Sequence, residues 1–193
     1  MCNLYRIEKN PDAIRRMFAD VQIPITFPEG IPNLQPRDVR ISESAPVVRW
    51  NAANATAELI ERRWSWPSPS RKPVFNMRSD GREFPRDRCL VVADGFYEYT
   101  AAEDPKQKRK ACWLFRPANG QEFAIAGLLR TNPDVGEGFT LLTAPPGPDV
   151  EPYHNRQIAL LRPDQWRSWL DGSAKSLDLL KPTTAGCLDV AAA

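Results

Sequence analysis

Along this chain, apolar and polar positions alternate in short runs that turn residues keep interrupting, a pattern of strands more than of helices. Strand-like segments fall at 39–42 (VRIS), 46–50 (PVVRW), 58–64 (ELIERRW), 89–99 (CLVVADGFYEY) and 112–117 (CWLFRP). Further ones lie at 123–130 (FAIAGLLR), 139–144 (FTLLTA) and 158–163 (IALLRP), and the first residues after Met1 are strand-like as well. Helical spacing occurs twice. Pro11 to Phe18 has Asn10 as N-cap and Pro11 at the first helical position. Residues 164–172 place Trp166, Trp169 and Leu170 at i, i+3 and i+4, with Pro163 in the first turn and Gly172 as the stop. Those aromatics are expected in the core. The proline-rich stretch 22–38 is expected to be an extended loop, and the charged stretch 102–110 (AEDPKQKRK) a solvated hairpin loop. No repeat or boundary interrupts the chain. The expectation is a single α+β domain over 1–193, predominantly antiparallel β with a few peripheral helices.

Composition narrows the function. A chain of 193 residues can bury a core without staples, and 19 prolines against 10 glycines fit loops and short strands. A net charge of +2 leaves nucleic-acid binding to a local patch and not to the overall field. The four cysteines, Cys2, Cys89, Cys112 and Cys187, are scattered, with no CxxC and a single histidine, so neither a zinc site nor a disulfide framework is expected. The N-terminus lacks the apolar core of a signal peptide, and no apolar run approaches the length of a membrane span. A cytosolic protein with reduced thiols and no metal or organic cofactor is expected.

Candidate chemistry begins at Cys2. Removal of Met1 would leave a cysteine whose α-amine (pKa about 8) and thiol (about 8.5) share one carbon. Such an aminothiol condenses with an aldehyde as an imine and then closes through sulfur to a thiazolidine. In 62–80 (RRWSWPSPSRKPVFNMRSD), Trp64 and Trp66 lie among cations, as in single-strand binders, where each stacked base contributes about 1–3 kcal/mol. Taken by themselves, the two indoles favour a core strand position. In ADGFYEY (93–99), Glu98 sits between Tyr97 and Tyr99; it is either an outward solvated carboxylate or one whose pKa is raised for acid–base work. His154, in EPYHNR (151–156), is the chain's one imidazole and stands beside Arg156.

In this order and spacing the segments resemble the SRAP family, the SOS-response-associated peptidase domain of abasic-site-sensing proteins. The resemblance runs through MCNLY, PNLQP (32–36), RWSWPSP, FNMRSD, RCLVVADGFYEY, AGLLR, FTLLTAP and HNRQIALL. It implies a barrel-like fold and a monomer that traps abasic sites in single-stranded DNA by lyase-like chemistry, forming and reversing a DNA–protein crosslink. Carried over, Cys2 is the nucleophile, while Asn76 and Arg78 position its amine and the lesion's phosphate. Glu98 assists imine formation, and His154 assists ring opening and reversal. Trp64, Trp66 and Arg156 stack on bases or hold the backbone. The chain departs from the family pattern at Asn3 and Leu4, where Gly-Arg is common, at Ser65 and Trp66 in the Trp-Gly-Leu loop, and at Val92, Tyr99, Gln157 and Ile158. Its last residues, LDVAAA, lack the expected Val-Asn-containing final strand. Two other readings stay open: a thiol peptidase or autoprocessing hydrolase using Cys2 and His154, and a non-catalytic single-strand-binding module.

Overall fold

The computed structural model describes residues 2–102 and 109–193. The central part of the expected 102–110 loop therefore lies outside the described residues. In chain order the elements are β1 (Leu4–Ile7), α1 (Pro11–Asp20), β2 (Ile25–Thr26), β3 (Arg37–Arg40), β4 (Ser44–Asn51), β5 (Thr56–Trp64), β6 (Trp66–Pro67), β7 (Pro73–Val74) and β8 (Asn76–Arg78). Then come β9 (Arg88–Val92), β10 (Gly95–Thr100), β11 (Ala111–Pro117), β12 (Ala124–Asn132), β13 (Gly136–Ala144), β14 (Gln157–Ile158) and β15 (Leu160–Leu161). The chain finishes with α2 (Pro163–Leu170), α3 (Ser176–Leu179) and β16 (Leu188–Ala192).

Five strands close into a barrel. β5, β4, β9, β12 and β13 pair antiparallel in succession, and a parallel step between β13 and β5 (Gly138 opposite Arg63, Phe139 opposite Trp64) joins the ends. The closure needs Gly138, because a Cβ there would lie 3.1 Å from the carbonyl oxygens of both Arg63 and Ser65. A second sheet runs β16–β11–β10–β1–β3. The barrel strands bury aliphatic side chains on both faces, Val47, Ile60, Val91, Ile125 and Leu141 on one and Val48, Leu59 and Leu90 on the other, and Trp166 and Trp169 of α2 are fully buried in the same core, as their spacing predicts. Their indole N–H groups donate to the carbonyls of Leu161 and Cys89, each at 2.9 Å, so neither leaves a buried donor unpaired. Helix α1 starts as read: Asn10 Oδ1 accepts from the Ala13 amide at 2.8 Å. No helix among the described residues is long and apolar enough to cross a membrane.

Three readings need correction. The run 89–99 is two strands, because the chain leaves the barrel at Ala93–Asp94 and enters the second sheet at Gly95. Asp94 makes that step rigid: its carboxylate accepts from the amides of Glu8 (2.6 Å) and Lys9 (3.2 Å) and pairs with the Lys9 ammonium. The run 158–163 is divided between β14, β15 and the start of α2. The final strand does form. Residues 188–192 pair with β11 from Leu188 opposite Pro117 to Ala192 opposite Trp113, since a backbone ladder with Leu188 turned inward needs no Val-Asn pair.

Candidate active site

Cys2 leads into β1, the strand between β10 and β3, and this position gathers the polar candidates. Its side chain is 1% exposed. The thiol donates to the Leu4 carbonyl at 3.1 Å, and the Cys2 carbonyl accepts from Asn76 Nδ2 at 2.7 Å. Asn76 can reach because β8 runs parallel to β13, with Asn76 opposite Leu141, and this tie links the barrel to the start of the second sheet. From β10, the Glu98 carboxylate accepts a hydrogen bond from the Cys2 backbone N–H. Glu98 is 1% exposed, and burial pushes its carboxyl up from 4.5 to about 7. Burial, reinforced by the Glu98 charge, pushes the Cys2 thiol up to about 12. In this arrangement the thiol is protonated at neutral pH, contrary to the ordinary value assumed from sequence.

Glu98 and His154 line one pocket of ≈ 250 Å³ with Asn3, Tyr99 and Lys110. His154 is set by a turn in which its amide donates to the Val150 carbonyl at 3.0 Å. The Arg156 amide donates to Nδ1 at 3.0 Å, which fixes the ring. Burial lowers the imidazole's pKa, and neighbouring positive charge, including Lys110 and Arg156, lowers it further, so the ring is neutral near pH 7. Burial, followed by its hydrogen bond with Cys112, raises the Tyr99 phenol to about 12, which keeps it neutral too. The pocket thus holds a carboxyl poised at neutrality, a neutral imidazole and one exposed ammonium. Among the described residues no cluster of three or more His, Cys, Asp or Glu could hold a metal ion.

The four residues read as DNA contacts are not brought together. Trp64 is 0% exposed, wedged between Tyr5 (5.2 Å), Phe75 (6.2 Å) and Phe139 (6.5 Å), and its indole donates to the Phe75 carbonyl at 2.9 Å. Trp66 is 3% exposed, with the Arg130 guanidinium over its ring at 5.8 Å. Neither indole presents a face to a base, and the core alternative is the one the structure realises. Arg156 is committed internally, donating to Asp80 at 2.8 Å and to the Thr143 carbonyl at 2.7 Å. Arg78 alone of the four stands exposed, and no ion pair among the described residues engages it. Sequence reasoning missed Lys110, Tyr99 and Asn3 as pocket residues. Asn3 and Tyr99 stood out only as departures from a pattern, and Lys110 lay in a charged stretch with nothing to place it beside His154.

The family model described as "SOS response associated peptidase (SRAP)" matches residues 1–192. The Abasic site processing protein YedK of Escherichia coli K12 is 25% identical over 170 residues, covering 74% of this chain and 73% of its own. The Abasic site processing protein YoqW of Bacillus subtilis 168 is 28% identical over 138 residues, 69% of this chain, and the match spans 54% of YoqW. Among solved structures, a protein from Bordetella bronchiseptica superposes with TM-score 0.76 at 21% identity, covering 100% of this chain and 99% of its own. A phage-related protein from the same organism gives 0.74 at 18% identity over 100% and 94%. At such identities these two likenesses bear on the fold. The family-model match over nearly the whole length carries the assignment: this chain belongs to the SOS response associated peptidase (SRAP) family.

Proposed function

We propose that this protein traps abasic sites in single-stranded DNA as a covalent DNA–protein crosslink, closed as a thiazolidine on Cys2. One observation carries the reading. The Cys2 backbone nitrogen, which becomes the α-amine once Met1 is removed, is held against a carboxyl group poised near 7. The names of YedK and YoqW, abasic site processing proteins, point to the same lesion.

The abasic sugar is mostly a closed hemiacetal, so a proton must leave its hydroxyl before the aldehyde is exposed. Neutral His154 in the shared pocket is the base for that step. The amine then adds to the aldehyde carbon, and Glu98 in its acid form protonates the carbinolamine hydroxyl, which leaves as water. Because the thiol is held protonated, nitrogen reacts first. Sulfur adds to the imine carbon afterwards, the C–S bond forming as the thiol proton passes to nitrogen. One water is lost overall, and the same two groups can run the sequence backwards. Asn76 holds the Cys2 carbonyl, and with it the nitrogen, in line with Glu98. A pocket of ≈ 250 Å³ takes a sugar turned out of its strand, which costs least when the strand is single. The reaction belongs in a reducing cytosol, where Cys2 remains a thiol.

The thiol-peptidase alternative gains nothing from the thiol's surroundings, since it donates to Leu4 and is pushed away from the thiolate. Incubation with single-stranded DNA carrying one abasic site should give a band that survives heat and detergent. Intact mass should equal the protein without Met1 plus the oligonucleotide less one water. Cys2→Ala, or a protein that keeps Met1, should lose that band; its persistence in either would sink the thiazolidine. Peptide turnover without DNA would favour the peptidase instead.

A further inference from the structure

His154 shares a pocket with Glu98, yet it lies on the connection between β13 and β14 and belongs to no strand or helix. Something other than a backbone ladder must hold it beside β10. The residue before it does so. The Tyr153 ring packs on Trp113 (4.9 Å) and Phe115 (5.3 Å) of β11, tilted against the first and edge-on to the second. These two rings mark the face on which Glu98 stands. Alternate residues of a strand share a face, and so do residues directly opposite each other in an antiparallel pair. Phe96, Glu98 and Thr100 of β10 therefore face the same way as their partners Phe115, Trp113 and Ala111. Phe96 stacks on Phe115 at 4.9 Å, and the Trp113 indole donates to Thr100 Oγ1 at 2.9 Å. The support under Tyr153 is thus tied to β10 two residues before Glu98 and two residues after it.

Ring and imidazole belong to one turn, since the amides of Tyr153 and His154 both donate to the Val150 carbonyl, at 2.9 and 3.0 Å. Asp149 fixes the start of that turn. Its carboxylate accepts from the amides of Gly186 (2.9 Å), Cys187 (3.0 Å) and Leu188 (3.0 Å), where the chain enters β16. The Arg156 amide sets the orientation of the imidazole; the Tyr153 ring sets its place. We propose that Tyr153 is a positioning residue, wedged on the face of β10 and β11 that carries Glu98, which holds His154 at the separation from Glu98 that one sugar can bridge. The inference rests on the abasic-site reading for the joint task of the two groups. An aromatic ring suits this role because edge-to-face packing favours one mutual orientation. The precision matters, since a misplacement of about 1 Å can cost ~10²-fold in rate.

The test compares Tyr153→Ala with Tyr153→Phe by two measurements. The chain has a single histidine, so its ring C–H resonances can be followed by NMR without assignment. In the wild type they should titrate below the ordinary 6.5, owing first to burial and then to neighbouring positive charge that includes Lys110 and Arg156, with Glu98 and Tyr99 lining the same pocket. In Tyr153→Ala the midpoint should move up towards 6.5 as the ring leaves its place. The crosslinking rate at saturating abasic oligonucleotide should fall about tenfold or more, with the half-saturating concentration little changed. Tyr153→Phe keeps the wedge and should restore both. Tyr153→Leu, which leaves an apolar side chain on β11, replaces the alanine variant if that one does not fold, with the same signs expected. A rate and a midpoint equal to wild type in a folded Tyr153→Ala would overturn the proposal. So would a Tyr153→Phe that fails as the alanine variant does, because the hydroxyl and not the packed ring would then be what matters. If the wild type gives no crosslink while the midpoint still moves in Tyr153→Ala and returns in Tyr153→Phe, the abasic-site reading falls and the placement of His154 by Tyr153 stands.

Discussion

Glu98 combines near-complete burial with a carboxyl group at about 7, and these properties have one origin and two consequences. Near neutrality the group is about half protonated, so it can donate to a leaving hydroxyl and accept the proton back with little free-energy cost. The same shift acts on stability. The folded state holds its proton to a pH above the ordinary 4.5, so between about 4.5 and 7 it binds more protons than the unfolded chain, and stability falls as pH rises through that window. Glu98→Gln removes the titration. Relative to wild type, the variant should gain stability at pH 8 over pH 5 by an amount on the order of 1–3 kcal/mol, read from denaturant midpoints at the two values. Its rate of crosslinking should fall ~10²-fold or more. Parallel pH dependences for the two proteins would show that Glu98 titrates as an ordinary carboxyl group. The resemblance to a known family singled out Glu98, and the fold shows how it differs from its motif neighbours: Asp94 and Gly95 serve the chain's path and never reach the pocket that Glu98 lines.

Strand β10 shows how far alternation alone carries the reading. Its existence, and an apolar neighbourhood for Glu98, follow from GFYEY. Its separation from β9 does not, because that depends on Asp94 meeting amides from residues 8 and 9, far away in sequence. Nor was β8 legible: three residues make a strand there only because β13 offers an edge, and with β8 comes the position of Asn76. Ser65 marks a further local conflict. It is buried at φ 98°, in the left-handed region that glycine takes easily, which gives a physical reason for the glycine usual in that loop. Gly95 is the residue on which β10 and β11 depend most. A Cβ there would lie 2.8 Å from the Phe115 carbonyl oxygen and 2.9 Å from Leu114 Cδ1, and the first of these contacts is backbone. Gly95→Ala should therefore push β10 off β11 and destabilise the fold by about 1–3 kcal/mol, seen as a lower denaturant midpoint. The crosslink should also slow, because Glu98 lies on the displaced strand. A midpoint equal to wild type would mean that the two strands have slack the coordinates do not suggest.

For the molecule as a whole, closure of the barrel and placement of the site depend on the same few residues. Trp64 ends β5 at the parallel step, packs against Tyr5 of β1 and Phe139 of β13, and donates to Phe75 just before β8. It therefore joins the barrel, the strand behind Cys2 and the strand that carries Asn76. For the indoles among the cations of 62–80 the resemblance implies a stacking role and the strand pattern a core one; long-range packing, which periodicity within the segment does not encode, buries both. The two roles are separable. Trp64→Leu keeps an apolar side chain but removes the aromatic face and much of the volume, so a core role implies a loss of stability of about 2–4 kcal/mol with unchanged affinity of the folded protein for single-stranded DNA. A stacking role implies the reverse, a stability near wild type and about 1–3 kcal/mol of binding lost. Chemical denaturation and anisotropy on the same preparation, at a temperature where the variant remains folded, distinguish the two. Loss of affinity without loss of stability would return Trp64 to the DNA interface; the expected result leaves Trp64 in the core, where it joins β1, β13 and the residue before β8.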